Sequence, residues 1–177
     1  PSDIIVDAKS GVSGAGRKAA LATQFAETSE SFKAYNASGH RHLPEIMQTL
    51  NTAQNGADVE LTFVPHLVPM NRGIHATVYV KPKDHTIDIY SDYTEFYEHE
   101  RFVDILPLAS HPETRFVRAT NLCQISLHPA KTASQPTVIL SVIDNLIKCA
   151  AGQAIQNMNL MFGFDEDCGL VGSGLIP

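Results

Sequence analysis

Period-two alternation in two long stretches, helical stripes between strands, and no strict strand–helix–strand rhythm together predict an α+β (α/β) fold. The expected architecture is one mixed β-sheet with helices on one face. Val59, Leu61 and Phe63 alternate with Glu60 and Thr62, and Ile74, Ala76, Val78 and Val80 alternate with His75, Thr77, Tyr79 and Lys81. Successive strand side chains point to opposite faces. Val59, Leu61, Phe63 and the even-numbered set should therefore meet the helices, leaving Thr62, Val64, His75, Thr77 and Tyr79 on a mixed opposite face.

In chain order, Ile4 to Val6 reads as a short buried strand running into the glycine-rich turn "KSGVSGAGR". Arg17 to Thr28 carries Ala20, Leu21, Gln24 and Phe25 at helical spacing and predicts a helix. Phe32 to Asn36 predicts a short strand leading into "SGHRHLPEIM". Pro44 to Thr52 predicts a helix with proline in its first turn, where a missing N–H costs nothing. After the two alternating strands, Ile87 to Glu98 predicts a helix with Ile89, Tyr93, Phe96 and Tyr97 on one stripe. Phe102–Leu106, Leu122–Leu127 and "TVILSVID" read as further strands, and "NLIKCAAGQAIQNMNLMFGF" as one long small-residue helix ending near Gly163. No repeat or linker divides residues 1–177, so a single domain is expected.

The 177 residues, 44% hydrophobic and 18% charged, suit an ordinary soluble core. Thirteen basic against nineteen acidic residues leave a net charge of −6. That argues against a nucleic-acid backbone as partner. No run reaches the roughly 18 apolar residues of a membrane span, and no signal peptide is expected. Cys123, Cys149 and Cys168 form an odd set without a CxxC pair, which points to a reducing cytoplasm and away from a zinc site. The chain opens at Pro1 and enters a strand almost at once, the expectation for a piece of a longer polypeptide.

Two motifs carry candidate chemistry. Gly11, Gly14 and Gly16 have the order GxxGxG, which is not the dinucleotide fingerprint. With Ser10, Ser13 and an expected helix N-terminus they could cradle an anion, or form only a turn. His40 and His42 flank Arg41. A third metal ligand is hard to name, since neither His66 nor His75 sits in a carboxylate pattern, and no metal is expected. The pair could be a polar entry to the following helix, or a histidine titrating near neutrality beside a cation and an anionic substrate. Arg41 and Arg72, in irregular segments, could each fork onto a carboxylate or phosphate or remain loop residues. Cys123 shares an apolar strand face with Ile125 and Leu127, so a packed thiol is expected there.

"KSGVSGAGR", "HRHLPEI", "FVPHLVPMNRGI" and "SVIDNLIKCAAGQAIQNMNLMFGF", in this order, resemble the N-acetyl-gamma-glutamyl-phosphate reductase family. That family is related to aspartate-semialdehyde dehydrogenase and glyceraldehyde-3-phosphate dehydrogenase. The resemblance implies a glyceraldehyde-3-phosphate-dehydrogenase-like C-terminal domain, with the NADP-binding Rossmann domain and the catalytic cysteine lying outside this chain. It implies an acyl-phosphate substrate and NADP as cofactor. Reduction of N-acetyl-glutamyl phosphate to the semialdehyde would run through a thioester, and this chain alone would be inactive. By motif position, His40 would handle the proton on the developing oxyanion. Arg41, His42 and Arg72 would orient substrate and its phosphate. Ser13, Gly14, Ala15 and Gly16 would approach the cofactor, with Asn145 and Gln156 as further contacts. The family usually has Gly where this chain has Cys149. The related enzymes associate through this domain, so a homo-oligomer, dimer or tetramer, is expected on the sheet face left free of helices. The competing readings are an aspartate-semialdehyde-dehydrogenase-type enzyme, a non-catalytic oligomerisation module, or a His-dependent metal hydrolase.

Overall fold

The alternating stretches form neighbouring strands of one mixed sheet. The structure is a computed structural model and describes residues 3–54, 59–84, 86–172 and 174. The strands are β1 (Asp3–Gly11), β2 (Lys33–Ala34), β3 (Glu60–Val68), β4 (Ile74–Val80), β5 (Val103–Ile105), β6 (Cys123–His128) and β7 (Thr137–Ile143). They lie in the order β2-β3-β1-β4-β7-β6-β5. β1 runs parallel to β3 and β5 parallel to β6, and the remaining neighbours are antiparallel. Pro65 is tolerated in β3 because its carbonyl, which accepts from Tyr35 N–H at 3.0 Å, and its missing donor both face two-residue β2 rather than β1.

Register separates the two faces. Ile4, Val6 and Ala8 align with Leu61, Phe63 and Pro65 on one side and with Val80, Val78 and Ala76 on the other. The same face continues through Ile139 into Leu127 and Ile125. Ile125, Leu127 and Ile139 form the buried core there, packed by Val78, Val80, Val103, Ile105 and Cys123. Helix α3 (Ile89–Phe96) and the residue after it supply Tyr90, Tyr93 and Tyr97. The stripe thus differs from the expected one: Tyr90 is in it, while Phe96 is exposed. Asp88 starts this helix by accepting from the N–H groups of Tyr90 and Ser91. The opposite face carries Ile5, Asp7, Lys9, Thr62, Val64, His66, His75, Thr77 and Tyr79, since Ile5 aligns with Thr62 and Tyr79, Asp7 with Val64 and Thr77, and Lys9 with His66 and His75.

The helix expected over Arg17–Thr28 is a 3₁₀ turn, Leu21–Thr23, followed by the single turn α1 (Phe25–Thr28). Leu21 is 69% and Phe25 85% exposed, so among the described residues the apolar stripe meets no packing surface. A short unpacked helix does not repay its nucleation cost. Helix α2 (Leu43–Ala53) has Pro44 in its first turn and is tied to the start of β3 by Val59 N–H donating to Asn51 Oδ1 at 3.2 Å. The single turn α4 (Thr114–Val117) buries Val117. The long C-terminal helix is divided into a π-helical turn, Ile147–Ala151, and α5 (Gly152–Phe162), which ends at Gly163 with φ +73°. Among the described residues no helix is long and apolar enough to cross a membrane.

Candidate functional site

Gly11 at the end of β1, Val68 at the end of β3, Ile74 at the start of β4, Ile143 at the end of β7 and Cys123 at the start of β6 all lie at one end of the sheet. The candidate residues of four segments converge there. Gly11, Val12 and Ser13 donate their N–H groups to the carbonyls of Gly73, Met70 and Asn71, which lays the glycine turn along the β3–β4 connection. Gly11 is required, because a Cβ would come within 2.9 Å of the Asn71 carbonyl oxygen.

Asp144 and Asn145, leaving β7, lock this end together. Asn145 Oδ1 accepts from Gly73 N–H at 2.7 Å, and its Nδ2 donates to Ser13 Oγ at 2.9 Å. Asp144 is wholly buried. Its Oδ2 takes Ala119 N–H at 2.7 Å and the Arg72 guanidinium at 2.8 Å, and its Oδ1 takes the N–H groups of Leu146 and Ile147 at 2.8 and 3.1 Å. Burial alone would raise the Asp144 carboxyl, but these donors outweigh it and hold the group below the ordinary carboxylate range. Arg72 is therefore anchored at this end of the sheet with about a quarter of its side chain open.

Past Gly16 the backbone opens into a recess of about 450 Å³ lined by Val12, Ser13, Gly16, Lys18, Asn71 and Gln24. Gly14 to Gly16 is exposed. The turn itself is 3₁₀, Val12–Ala15, so the anion-binding helix N-terminus expected behind it is not formed. What remains there for an anion is exposed glycine backbone, the Ser13 hydroxyl and the Lys18 ammonium.

His40 lies elsewhere, in the turn between β2 and α2, against β3. Its ring packs edge-on against Tyr35, His42 and Phe63, with centroids 5.7, 5.0 and 5.4 Å away. Phe63 is five residues before Val68, so this cluster sits roughly 17 Å along β3 from the Arg72 end. Among the described residues no hydrogen bond, ion pair or ring contact joins the two clusters. His40 Nδ1 accepts from His42 N–H at 3.3 Å, which assigns the neutral ring's proton to Nε2. Burial, then the nearby His42 and Arg41, lower its pKa, so the ring is neutral at pH 7. His42 itself is exposed and occupies the N-cap position of α2, and Arg41 is exposed beside it. Tyr35, whose hydroxyl burial pushes upward, was not singled out from sequence. Its place five residues before His40 was the only signal available.

Gln156 is buried. Its Oε1 accepts from Asn121 Nδ2 at 2.8 Å and Lys148 Nζ at 2.9 Å, and its Nε2 donates to Glu166. Cys149 is accommodated at an exposed position, and the close backbone approach falls instead at Gly152, where a Cβ would overlap Asn121 Oδ1. Cys123 lies 3.4 Å from Ser141 Oγ, and burial pushes its thiol up. Burial likewise pushes up Cys149, though the residue as a whole is exposed, so neither position favours a thiolate. Among the described residues no group of three or more His, Cys, Asp or Glu could hold a metal ion.

A family profile described as "Semialdehyde dehydrogenase, dimerisation domain" matches residues 1–145. The N-acetyl-gamma-glutamyl-phosphate reductase of Nitrosococcus oceani is 57% identical over 177 residues, covering 100% of this chain and 51% of its own length. The reductase of the same name from Pseudomonas fluorescens (strain SBW25) is 54% identical over 176 residues, covering 99% of this chain and 51% of its own. The chain thus spans about half the length of these relatives. Among solved structures, aspartate semialdehyde dehydrogenase II from Vibrio cholerae superposes with a TM-score of 0.70 at 16% identity. The superposition covers 92% of this chain and 55% of that one. The Candida albicans aspartate semialdehyde dehydrogenase with NADP gives 0.61 at 10% identity, over 87% and 48%. These two likenesses are of fold.

Proposed function

The chain belongs to the semialdehyde dehydrogenase dimerisation-domain family, and from that premise we propose that it is the C-terminal half of a cytoplasmic, NADP-dependent N-acetyl-gamma-glutamyl-phosphate reductase. The observation that carries this reading is 57% identity across all 177 residues to a relative bearing that name. The chain brings the acid/base and anchoring groups, and the thiol nucleophile and dinucleotide domain belong to the other half.

Reduction of an acyl phosphate through a thioester puts negative charge on the carbonyl oxygen at each addition step. A neutral imidazole with its proton on Nε2 is a suitable donor to that oxygen, and Nε2 of His40 has no protein partner among the described residues. The His42 N–H on Nδ1 fixes that tautomer, and the lowered pKa keeps the ring from carrying a permanent charge. Arg41 and His42, exposed beside it, suit the substrate's phosphate and carboxylate charge. Arg72 suits the same task only through the part of its guanidinium that Asp144 leaves open.

The recess beyond Gly16 fits an anionic dinucleotide. Exposed backbone at Gly14 to Gly16, the Ser13 hydroxyl and Lys18 would hold it, with Asn145 fixing Ser13 from behind. The hydride of the reduction is what NADPH supplies when bound. Gln156 would act through Lys148 and Asn121 rather than by touching the cofactor. Association of copies through the sheet face bearing Thr62, Val64, His75, Thr77 and Tyr79 completes the reading.

The test is phosphate-dependent NADP reduction with N-acetyl-glutamate semialdehyde by a full-length polypeptide carrying this chain. His40→Ala should lower kcat by roughly 10²–10⁴, the range of a positioned acid/base, with KM little changed. Wild-type kcat in His40→Ala, with the loss carried by His42→Ala, refutes the assignment. Robust turnover by the 177-residue chain alone refutes the division of labour.

A further inference from the structure

The sheet face opposite the core carries a row of basic groups. Register aligns His66, Lys9 and His75 across β3, β1 and β4, and the apolar Val142 of β7 comes next. One rung along, Asp7 lies between Val64 and Thr77. Its carboxylate is already shared: Oδ2 meets Lys9 Nζ at 3.0 Å and Oδ1 meets His66 Nδ1 at 2.9 Å. Lys9 also donates to Thr77 Oγ1 at 3.3 Å. Phe32 stacks on His66 with centroids 5.1 Å apart and is 60% exposed, and Ile5 on the same face is 46% exposed.

We propose that this face is a pH-gated contact with a second copy of the chain, closed while His75 is neutral and opened when His75 takes up a proton beside Lys9. The inference rests on the dimer reading above and deepens it. The occupant is a second copy because the matching family is described as a dimerisation domain. The face also presents exposed apolar groups, Ile5 and Phe32, around a centre whose charges are internally paired, the pattern of a contact that desolvates its middle.

The charged groups acting on His75 are Lys9, which opposes protonation, and Asp7, which favours it more weakly; burial opposes it most. Asp7 already holds Lys9 through Oδ2, and its pull on His75 is weaker than the opposition from Lys9. The proposal sets the two-fold axis over this row, so that each row meets its counterpart and each proton taken up adds repulsion while water is being excluded. The sign follows from linkage. A group that binds its proton less readily in the associated state favours association above its free-state pKa and opposes it as pH falls below that value. The burial-lowered His75 places that loss below the ordinary histidine value of about 6.5.

Sedimentation of a full-length polypeptide carrying this chain between pH 8 and pH 5.3 tests this, with near-ultraviolet circular dichroism confirming folding at each pH. The parent should be a dimer at pH 8, with its Kd rising about tenfold or more per pH unit once His75 titrates, two protons per dimer setting the upper slope. His75→Gln should stay dimeric to pH 5.3, and His75→Lys, folded but permanently charged, should be monomeric even at pH 8. A parent that is dimeric throughout, or a His75→Gln that dissociates like the parent, overturns the gate and leaves the dimer standing. A folded parent that is monomeric at every pH overturns the dimer reading as well.

Discussion

Replacing Asp144 by Asn keeps the shape of the side chain and removes its charge. Asp144 is wholly buried and receives Arg72 and three backbone N–H groups. Breaking a buried ion pair by removing one partner costs about 3–5 kcal/mol. Arg72 is 26% exposed, and water recovers part of that cost, which sets the ion-pair share near ~3 kcal/mol. The new amide turns a donor toward groups that are themselves donors, so at least one buried N–H loses its partner at about 1 kcal/mol. The total is about 4 kcal/mol, which for 150–250 residues lowers Tm by about 8–16 °C. Differential scanning calorimetry with urea unfolding at pH 7 measures it. The Asp144 pKa is depressed in the fold, so its contribution is present above the unfolded value of about 3.9 and fades as pH falls through the folded one. The parent–variant gap should therefore hold at pH 5 and narrow only below about pH 3.9. In an Arg72→Met background the same substitution should cost about 1–3 kcal/mol less, the coupling expected of contacting groups. A variant melting within about 2 °C of the parent at pH 7 would refute the view that Asp144 locks this end of the sheet.

Two further outcomes follow from backbone geometry at the same end. Gly152→Ala should destabilise by about 3 kcal/mol or more, because its Cβ would overlap Asn121 Oδ1 and approach the Ile147 carbonyl oxygen at 2.9 Å; chemical denaturation that finds under about 1 kcal/mol counts against the π-turn packing described. Ala119→Gly should be neutral to stabilising by up to about 1 kcal/mol, since Ala119 sits at φ +62° and the relief outweighs or matches the entropy glycine adds to the unfolded chain; a Tm loss above about 4 °C shows the left-handed conformation is not a cost.

Strand identity was legible wherever the pattern was local. Alternation in residues 59–63 and 74–80 located two strands and assigned their faces, because period two is a property of the strand alone. The helix that spacing predicts over Arg17–Thr28 does not form as one element, for the complementary reason. Its residues have helical spacing, but helical spacing yields a helix only against a surface, and among the described residues none meets Leu21 or Phe25. The His40 motif was legible as chemistry from three adjacent residues. Its aromatic surround was not, since Phe63 arrives from 23 positions away. Asp144 was invisible for a like reason: its partners come from Arg72, Ala119 and the turn beyond, and nothing about a lone aspartate after an apolar strand announces four donors.

The C-terminal helix shows where periodicity itself stops being informative. Its 3.6-residue pattern is real, yet the residues buried on α5 are Gly152, Gln156 and Asn159, while Met158, Leu160, Met161 and Phe162 are exposed. The ordinary rule turns the apolar stripe inward. Here the inward face must satisfy polar groups that other elements have already buried. Asn121 donates to Gln156 from 35 positions away, Lys148 donates to the same oxygen, and Asn159 Nδ2 donates to the carbonyls of Glu166 and Cys168 at 3.0 and 2.9 Å. Leaving any of those groups unpaired costs about 1–3 kcal/mol each, comparable to what burying one Leu or Met in their place would return. With several such groups on one surface the polar face wins, and the direction of the helix is set by its neighbours rather than by its own sequence.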